Sequence, residues 1–144
     1  MKSKIPTALL IVTIVTTLFL ASCQPPKPAA LSNDQVVQVV ENTLQAINAG
    51  DYQSFTQDFS DEMKNAFTEE QFTSLADMLQ NASGNFVSCA DSQPAISNNQ
   101  DYAIYRLTCT YDLESVIVTV TFKVDGDKVE GLFFDSTNLR KVSQ

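Results

Sequence analysis

Histidine is absent from the 144 residues. Its absence removes the commonest general base at neutral pH and the commonest zinc and copper ligand, and with them every hydrolytic triad built on imidazole. Basic residues are scarce as well: nine Lys and Arg stand against seventeen Asp and Glu, a formal charge of −8. Lys2 and Lys4 fall in a segment expected to be removed, which would leave the remainder near −10. A binder of nucleic acid or anionic headgroups needs clustered Lys or Arg to displace counterions, so no nucleic acid partner is expected. No metal or cofactor is expected either. Asp125, Gly126 and Asp127 lack the spacing of an EF-hand and read as a solvated hairpin tip.

What is present suffices for one domain, with 44% apolar residues and 9% aromatic ones to build a core. Residues 1–4 carry two lysines and residues 5–20 form a sixteen-residue apolar run, the layout of a secretory signal. The run is short for a bilayer span, which takes about 20 residues. It ends in Leu20, Ala21, Ser22 and Cys23, which resembles the lipobox of bacterial lipoproteins, where small residues precede a modified cysteine. The resemblance implies cleavage before Cys23, a diacylglyceryl thioether on its sulfur and acylation of the new amine. An ordinary cleaved signal or an uncleaved anchor are the alternatives. Two or three acyl chains hold a protein durably on a membrane where one is marginal. Residues 1–22 are thus read as signal peptide and 23–31 as lipidated cysteine and tether, with Pro25, Pro26 and Pro28 favouring extended geometry. Residues 32–144 form a single domain on the extracytoplasmic face of a bacterial envelope.

Ser32 with Gln35 is a capping-box pattern, and Leu31 with Val36 a hydrophobic staple, so a helix starts there. Val36, Val40, Leu44 and Ile47 repeat at the helical period until Gly50, while Gln38, Glu41, Asn42 and Gln45 read as a solvated face. Tyr52, Phe55 and Phe59 follow on one side of a short helix, and Ser60, Asp61 and Glu62 open another. Thr68 with Gln71 repeats the capping box, and Phe72, Leu75, Ala76 and Leu79 face the core until Gly84. Asp58, Asp61, Glu62, Glu69 and Glu70 read as caps and soluble surface, or as a dock for a basic partner.

After Gly84 the period switches to two. Ala103, Tyr105, Leu107, Cys109 and Tyr111 alternate with polar neighbours, as do Val116, Val118, Val120, Phe122 and Val124. Asp125 and Gly126 suggest a two-residue type I′ hairpin, which sets Phe122 opposite Val129, Val120 opposite Gly131 and Val118 opposite Phe133. A turn centred on Asn99 pairs Cys89 with Cys109, the even pair that remains once Cys23 is assigned to lipid, and outside the cytoplasm such thiols oxidise. A redox-active or metal-binding pair is the alternative.

Helices first and a four-stranded antiparallel meander afterwards give an α+β domain with the helices on one face of a curved sheet. Ala49, Gly50, Asp51 and Tyr52, then Phe59, Met63, Lys64 and Ala66, then Leu75, Gly84 and Phe86, resemble an uncharacterised domain family of nuclear-transport-factor-2-like fold found in bacterial lipoproteins and beside some hydrolases. The resemblance spans about residues 33–135. It implies a cone with a cavity between sheet and helices and a sheet face used for dimer contacts. Fold analogy transfers no activity.

Candidate pocket residues are Tyr52, Tyr105 and Tyr111. A tyrosine donor with an aspartate base could enolise a ketone, the route of a histidine-free isomerase or lyase; equally, the three are core residues with the hydroxyl at a rim. Tyr102, Ile104, Ile117, Leu132 and Phe134 are placed as an apolar patch on the outward sheet face, fit for a homodimer or another envelope protein, unless the tail at 138–144 covers it. The leading expectation is a non-catalytic module that binds a small apolar ligand or a protein partner. Replacing Cys23 by Ser is expected to abolish incorporation of radiolabelled palmitate and to leave the leader attached by mass spectrometry.

Overall fold

The computed structural model describes residues 29–90, 94–96 and 101–142. Cys23, the leader and the expected turn at Asn99 lie outside the described residues. Helix α1 (Asn33–Ala49) begins at a reciprocal cap: Ser32 Oγ accepts the Gln35 N–H while Gln35 Oε1 accepts the Ser32 N–H. Each bond satisfies a backbone donor that the first helical turn leaves orphaned. The helix ends at Gly50, whose φ of 66° carries a steric penalty for any residue with a Cβ. Asp51 caps α2 (Tyr52–Thr56), Ser60 caps α3 (Asp61–Ala66), and Thr68 with Gln71 forms the second reciprocal cap at α4 (Glu69–Ser83). Gly84 then takes φ 83°, and a Cβ there would stand 2.7 Å from the Asp112 Cβ, so only glycine lets the end of α4 meet the turn at Asp112 and Leu113 this closely.

The sheet contains β1 (Phe86–Cys89), β2 (Pro94–Ile96), β3 (Tyr102–Tyr111), β4 (Ser115–Lys123) and β5 (Val129–Asp135), all antiparallel. Its order is β1-β3-β4-β5, with β2 sharing the β1 flank of β3, so it is four strands wide. The alternation read from the sequence holds: Ala103, Tyr105, Leu107, Cys109 and Tyr111 on β3, and Val116, Val118, Val120 and Phe122 on β4, are buried on one face. Val36, Val40, Leu44 and Ile47 of α1, Phe55 of α2 and Phe72 and Leu79 of α4 complete the same apolar cluster.

Three features differ from the expectation. First, Glu41 does not merely face solvent. Its Oε1 accepts the Cys89 N–H at 2.9 Å, and Asn48 brackets Phe86 by accepting its N–H and donating to its carbonyl. Side chains of α1 thereby stand in for a neighbouring strand along β1. Second, Asp125 and Gly126 do not form a type I′ turn, because Gly126 keeps a negative φ and its N–H closes a turn onto the Lys123 carbonyl. Val124 is unavailable to extend the ladder: its N–H goes to the Asp101 carbonyl and its own carbonyl takes the Ala30 N–H. Phe122 still faces Val129, but a bulge follows, so that Thr121 faces Gly131, Val120 faces Leu132 and Val118 faces Phe134. Third, the tail forms α5 (Thr137–Val142), which packs on α4 and the end of β5.

Glu114 fixes that last arrangement. Its carboxylate accepts from Ser83 Oγ at 2.7 Å, Ser136 Oγ at 2.6 Å and the Asn138 N–H at 3.2 Å, joining the β3–β4 turn to the end of α4 and the start of α5. Desolvation would raise its pKa, but the bonds from Ser136, Ser83 and Asn138, with the nearby Lys141 charge, hold it below the ordinary 4.5. Because the folded value is the lower one, the stabilisation is full above the unfolded value and is lost as pH falls through the folded one. Glu114→Gln is therefore expected to cost about 1.5–3 kcal/mol near neutrality by urea denaturation. The gap to the wild type should close as the medium is acidified below pH 4.5.

Candidate functional site

The three candidate pocket tyrosines do not converge. The Tyr105 hydroxyl donates to the Leu31 carbonyl at 3.2 Å, and the ring stands edge-on to Phe122. The Tyr52 hydroxyl donates to the Phe67 carbonyl at 2.7 Å, with its ring against Phe72. Tyr111 lies six residues beyond Tyr105 on β3, about 20 Å along a strand, with its ring against Phe86 and its hydroxyl buried without a partner. Burial pushes the phenols of Tyr105 and Tyr111 up, away from any ionisation near neutrality. Among the described residues no aspartate is buried and no carboxylate bonds to any of the three hydroxyls. The donor and base needed for enolisation are not brought together there.

The outward patch is divided. Tyr102, Ile104 and Ile117 do share the outer face, opposite Lys123, Thr121 and Thr108. Leu132 and Phe134 do not join them: the bulge after Phe122 turns both to the inner face, where they pack against the core. Phe133 takes the outward position instead and is 64% exposed. The bulge has a physical cause in Glu130, whose carboxylate accepts from Ser60 Oγ at 3.0 Å and pairs with Lys123 at 3.1 Å. Held this way, Glu130 consumes one extra residue of β5. Among the described residues, α5 packs on α4 and the end of β5 rather than across the outer face.

The inward turn of β5 builds a site that sequence reasoning missed. Leu132 and Phe134, with Phe133 at the rim, form one wall of an apolar cleft of about 260 Å³. Met63 of α3, Phe67 of the α3–α4 link, and Leu75 and Met78 of α4 form the other, over a floor of Phe55. Phe55 itself is locked by Phe59, Phe67 and Phe72, with ring centroids 4.8, 5.4 and 4.9 Å away. The floor is thus rigid, whereas the two methionines of the walls are adaptable. No titratable side chain lines the cleft. A signal was in the sequence: the unbulged register put Gly131 against Val120, a gap in an otherwise filled core face.

Two further clefts are polar. One of about 350 Å³ lies between α1 and α2, with Asn42, Gln45, Asp51 and Asp58 on its wall. Asp51 there is occupied by the Gln53 and Ser54 N–H groups and the Ser54 hydroxyl, which lower its pKa, and Asp58 pairs with Lys128. The other, of about 370 Å³, lies between α3 and the β4–β5 loop, and its Lys123 and Glu130 are already paired. Among the described residues no group of three or more Asp, Glu or Cys is placed to hold a metal, and no helix is long and apolar enough to cross a membrane. Asp125 and Asp127 are exposed in the loop, and Glu69 and Glu70 occupy the first turn of α4.

These features define an α+β domain of helices followed by an antiparallel sheet, with an apolar cleft between them. The chain matches the family described as "protein of unknown function (DUF3887)" over residues 40–132, well over half its length, and belongs to that family. No curated protein and no solved structure matches it.

Cys89 and Cys109 are bonded, across neighbouring strands and in the register expected. Cys109 is fully buried, and the Glu41 carboxylate sits on the Cys89 N–H. Burial of this kind suits a structural bond rather than an exposed, attacking thiol. The bond closes a separation of 20 residues. Replacing both cysteines by alanine is expected to lower stability by about 3 kcal/mol in urea without changing the far-ultraviolet spectrum.

Proposed function

We propose that this chain is a lipid-anchored, extracytoplasmic binding module that takes an apolar group into the cleft between α3, α4 and β5. The observation that carries the reading is the lining: Met63, Phe67, Leu75, Met78, Leu132 and Phe134 over Phe55, with no acid, base or nucleophile among them. A cleft of that composition gains by excluding water from an apolar surface and has nothing with which to move a proton. Its volume falls just under the ~300–1,000 Å³ usual for drug-sized ligands, which suits a short acyl segment or one or two apolar side chains of a protein. The acidic balance of the chain works against an anionic occupant.

The anchor in this reading is Cys23, supported by the charged start, apolar run and small residues that precede it. The fold is taken as the cone-shaped nuclear-transport-factor-2-like one, which the order of helices then antiparallel strands supports. Titration with the neutral apolar dye N-phenyl-1-naphthylamine tests the cleft. Saturable fluorescence enhancement is expected for the wild type. Met78→Lys, at the 37% exposed mouth, should weaken binding at least about tenfold, while Leu113→Lys, exposed at the β3–β4 turn, should not. Unsaturable enhancement, or equal binding by all three proteins, would sink the reading.

A further inference from the structure

The two flanks of the sheet are treated differently. Along β1 the outward backbone groups are taken by Glu41 and Asn48 of α1. Along β5 only the start is covered: Val129 donates to the Asp58 carbonyl and accepts from the Ser60 N–H. These bonds show that Val129 turns its N–H and C=O away from β4. Leu132 and Phe134 share its inner face, and in a strand the face of the side chain and the direction of the peptide groups alternate together. Their N–H and C=O groups therefore also point away from β4, and among the described residues they have no partner. Such an edge is normally blunted by proline, lysine or a covering element. Here residues 131–134 carry neither proline nor lysine, α3 reaches β5 only across the apolar cleft, and the side chain at the middle is an exposed phenylalanine.

We propose that β5 is the seam through which two copies of this chain join, antiparallel about Phe133, into one continuous sheet. The inference goes beyond the cleft reading and does not rest on it. It rests on the side chains that such a pairing brings together in residues 131–135. With Phe133 opposite Phe133 of the second copy, Leu132 falls opposite Phe134 and Gly131 opposite Asp135, and each relation repeats on the other side of the axis. The Leu132 and Phe134 pairs exchange their free N–H and C=O groups, giving four ladder hydrogen bonds. Both pairs are apolar on the inner face, and the two Phe133 rings meet on the outer face as a close, non-hydrogen-bonded pair. No like charges are opposed: Asp135 meets glycine and is already paired with Arg140. An unrelated extended peptide could take the same hydrogen bonds, but a second copy also brings an apolar residue to each of the three central positions, and a peptide occupant would leave the chain monomeric. Each copy carries a formal charge of −8, so association strengthens as salt screens the repulsion.

The test is the mass of the purified full chain in detergent, by light scattering corrected for bound detergent. A dimer is expected. Phe133→Glu should raise its dissociation constant at least about a hundredfold, through two opposed carboxylates and the loss of the ring pair, and Ile117→Glu on the outer face should leave it unchanged. Should Phe133→Glu fail to fold, Phe133→Cys decides: it should yield a covalent dimer on oxidation that Leu113→Cys does not. A monomer at the highest soluble concentration, a dimer broken by Ile117→Glu instead, or no covalent dimer from Phe133→Cys would overturn the proposal. A monomer that still binds the naphthylamine saturably would leave the cleft reading standing.

Discussion

From Tyr102 to Thr110 every residue of β3 faces a partner on β4, and the inner side of that ladder is at most 1% exposed from Ala103 to Cys109 and from Val116 to Phe122. A ladder of that length satisfies its own peptide groups and supplies half of the core at once, so α1 and α4 need only bring one apolar stripe each. The burden it leaves is at its flanks. A strand bonded on one side exposes a row of donors and acceptors on the other, and buried or half-buried groups of that kind must find partners. The positions of α1, α2 and α5 follow from how those partners are provided. Glu41 and Asn48 clip α1 to β1, the α2–α3 link bridges to Val129, and Glu114 gathers the ends of α4 and α5.

The parts of this arrangement that were legible in the sequence are those set within a few residues. The caps at Ser32, Asp51, Ser60 and Thr68 and the stop at Gly50 lie next to the groups they satisfy, so the local pattern suffices. The Cys89–Cys109 bond was legible because the register of a simple hairpin holds at that pair, although it shifts by one residue on either side, at Phe86↔Tyr111 and at Pro94↔Tyr105. In the next hairpin the expected register failed. There Val124 is drawn off by Asp101 and Ala30, and Glu130 by Ser60 and Lys123. Ala30, Asp101 and Ser60 lie at least 23 residues from the positions they hold, and nothing in the spacing of Asp125 and Gly126 announces them. A one-residue slip exchanges the two faces of a strand, which moved Leu132 and Phe134 inward and created the cleft. The family match covers this same region, residues 40–132, and names no activity for it.

Cleft and edge are products of one event. Without the bulge, Gly131 and Phe133 would point inward and Leu132 and Phe134 outward, leaving a gap against Val120 and two large side chains in water. With it, the core face is closed except at the rim, where Phe133 stays in solvent. β5 therefore carries apolar surface on both sides and, between them, peptide groups without a partner among the described residues.

The route by which the chain enters the domain sets where that surface lies. Ala30 and Leu31 are tied to Val124 and Tyr105, at the end of the sheet where β3 starts and β4 finishes. From Val124 to Val118, the partner of Phe134, is six residues, or about 20 Å of strand. Ala30 thus sits at one end of the sheet, while the cleft wall and the free edge run from the level of Thr121, the partner of Gly131, to that of Val118, about 10 to 20 Å along it. With the anchor proposed at Cys23, the distance along the sheet adds to the reach of the segment before Ala29. The five residues between Cys23 and Ala29 contribute at most about 20 Å of that reach.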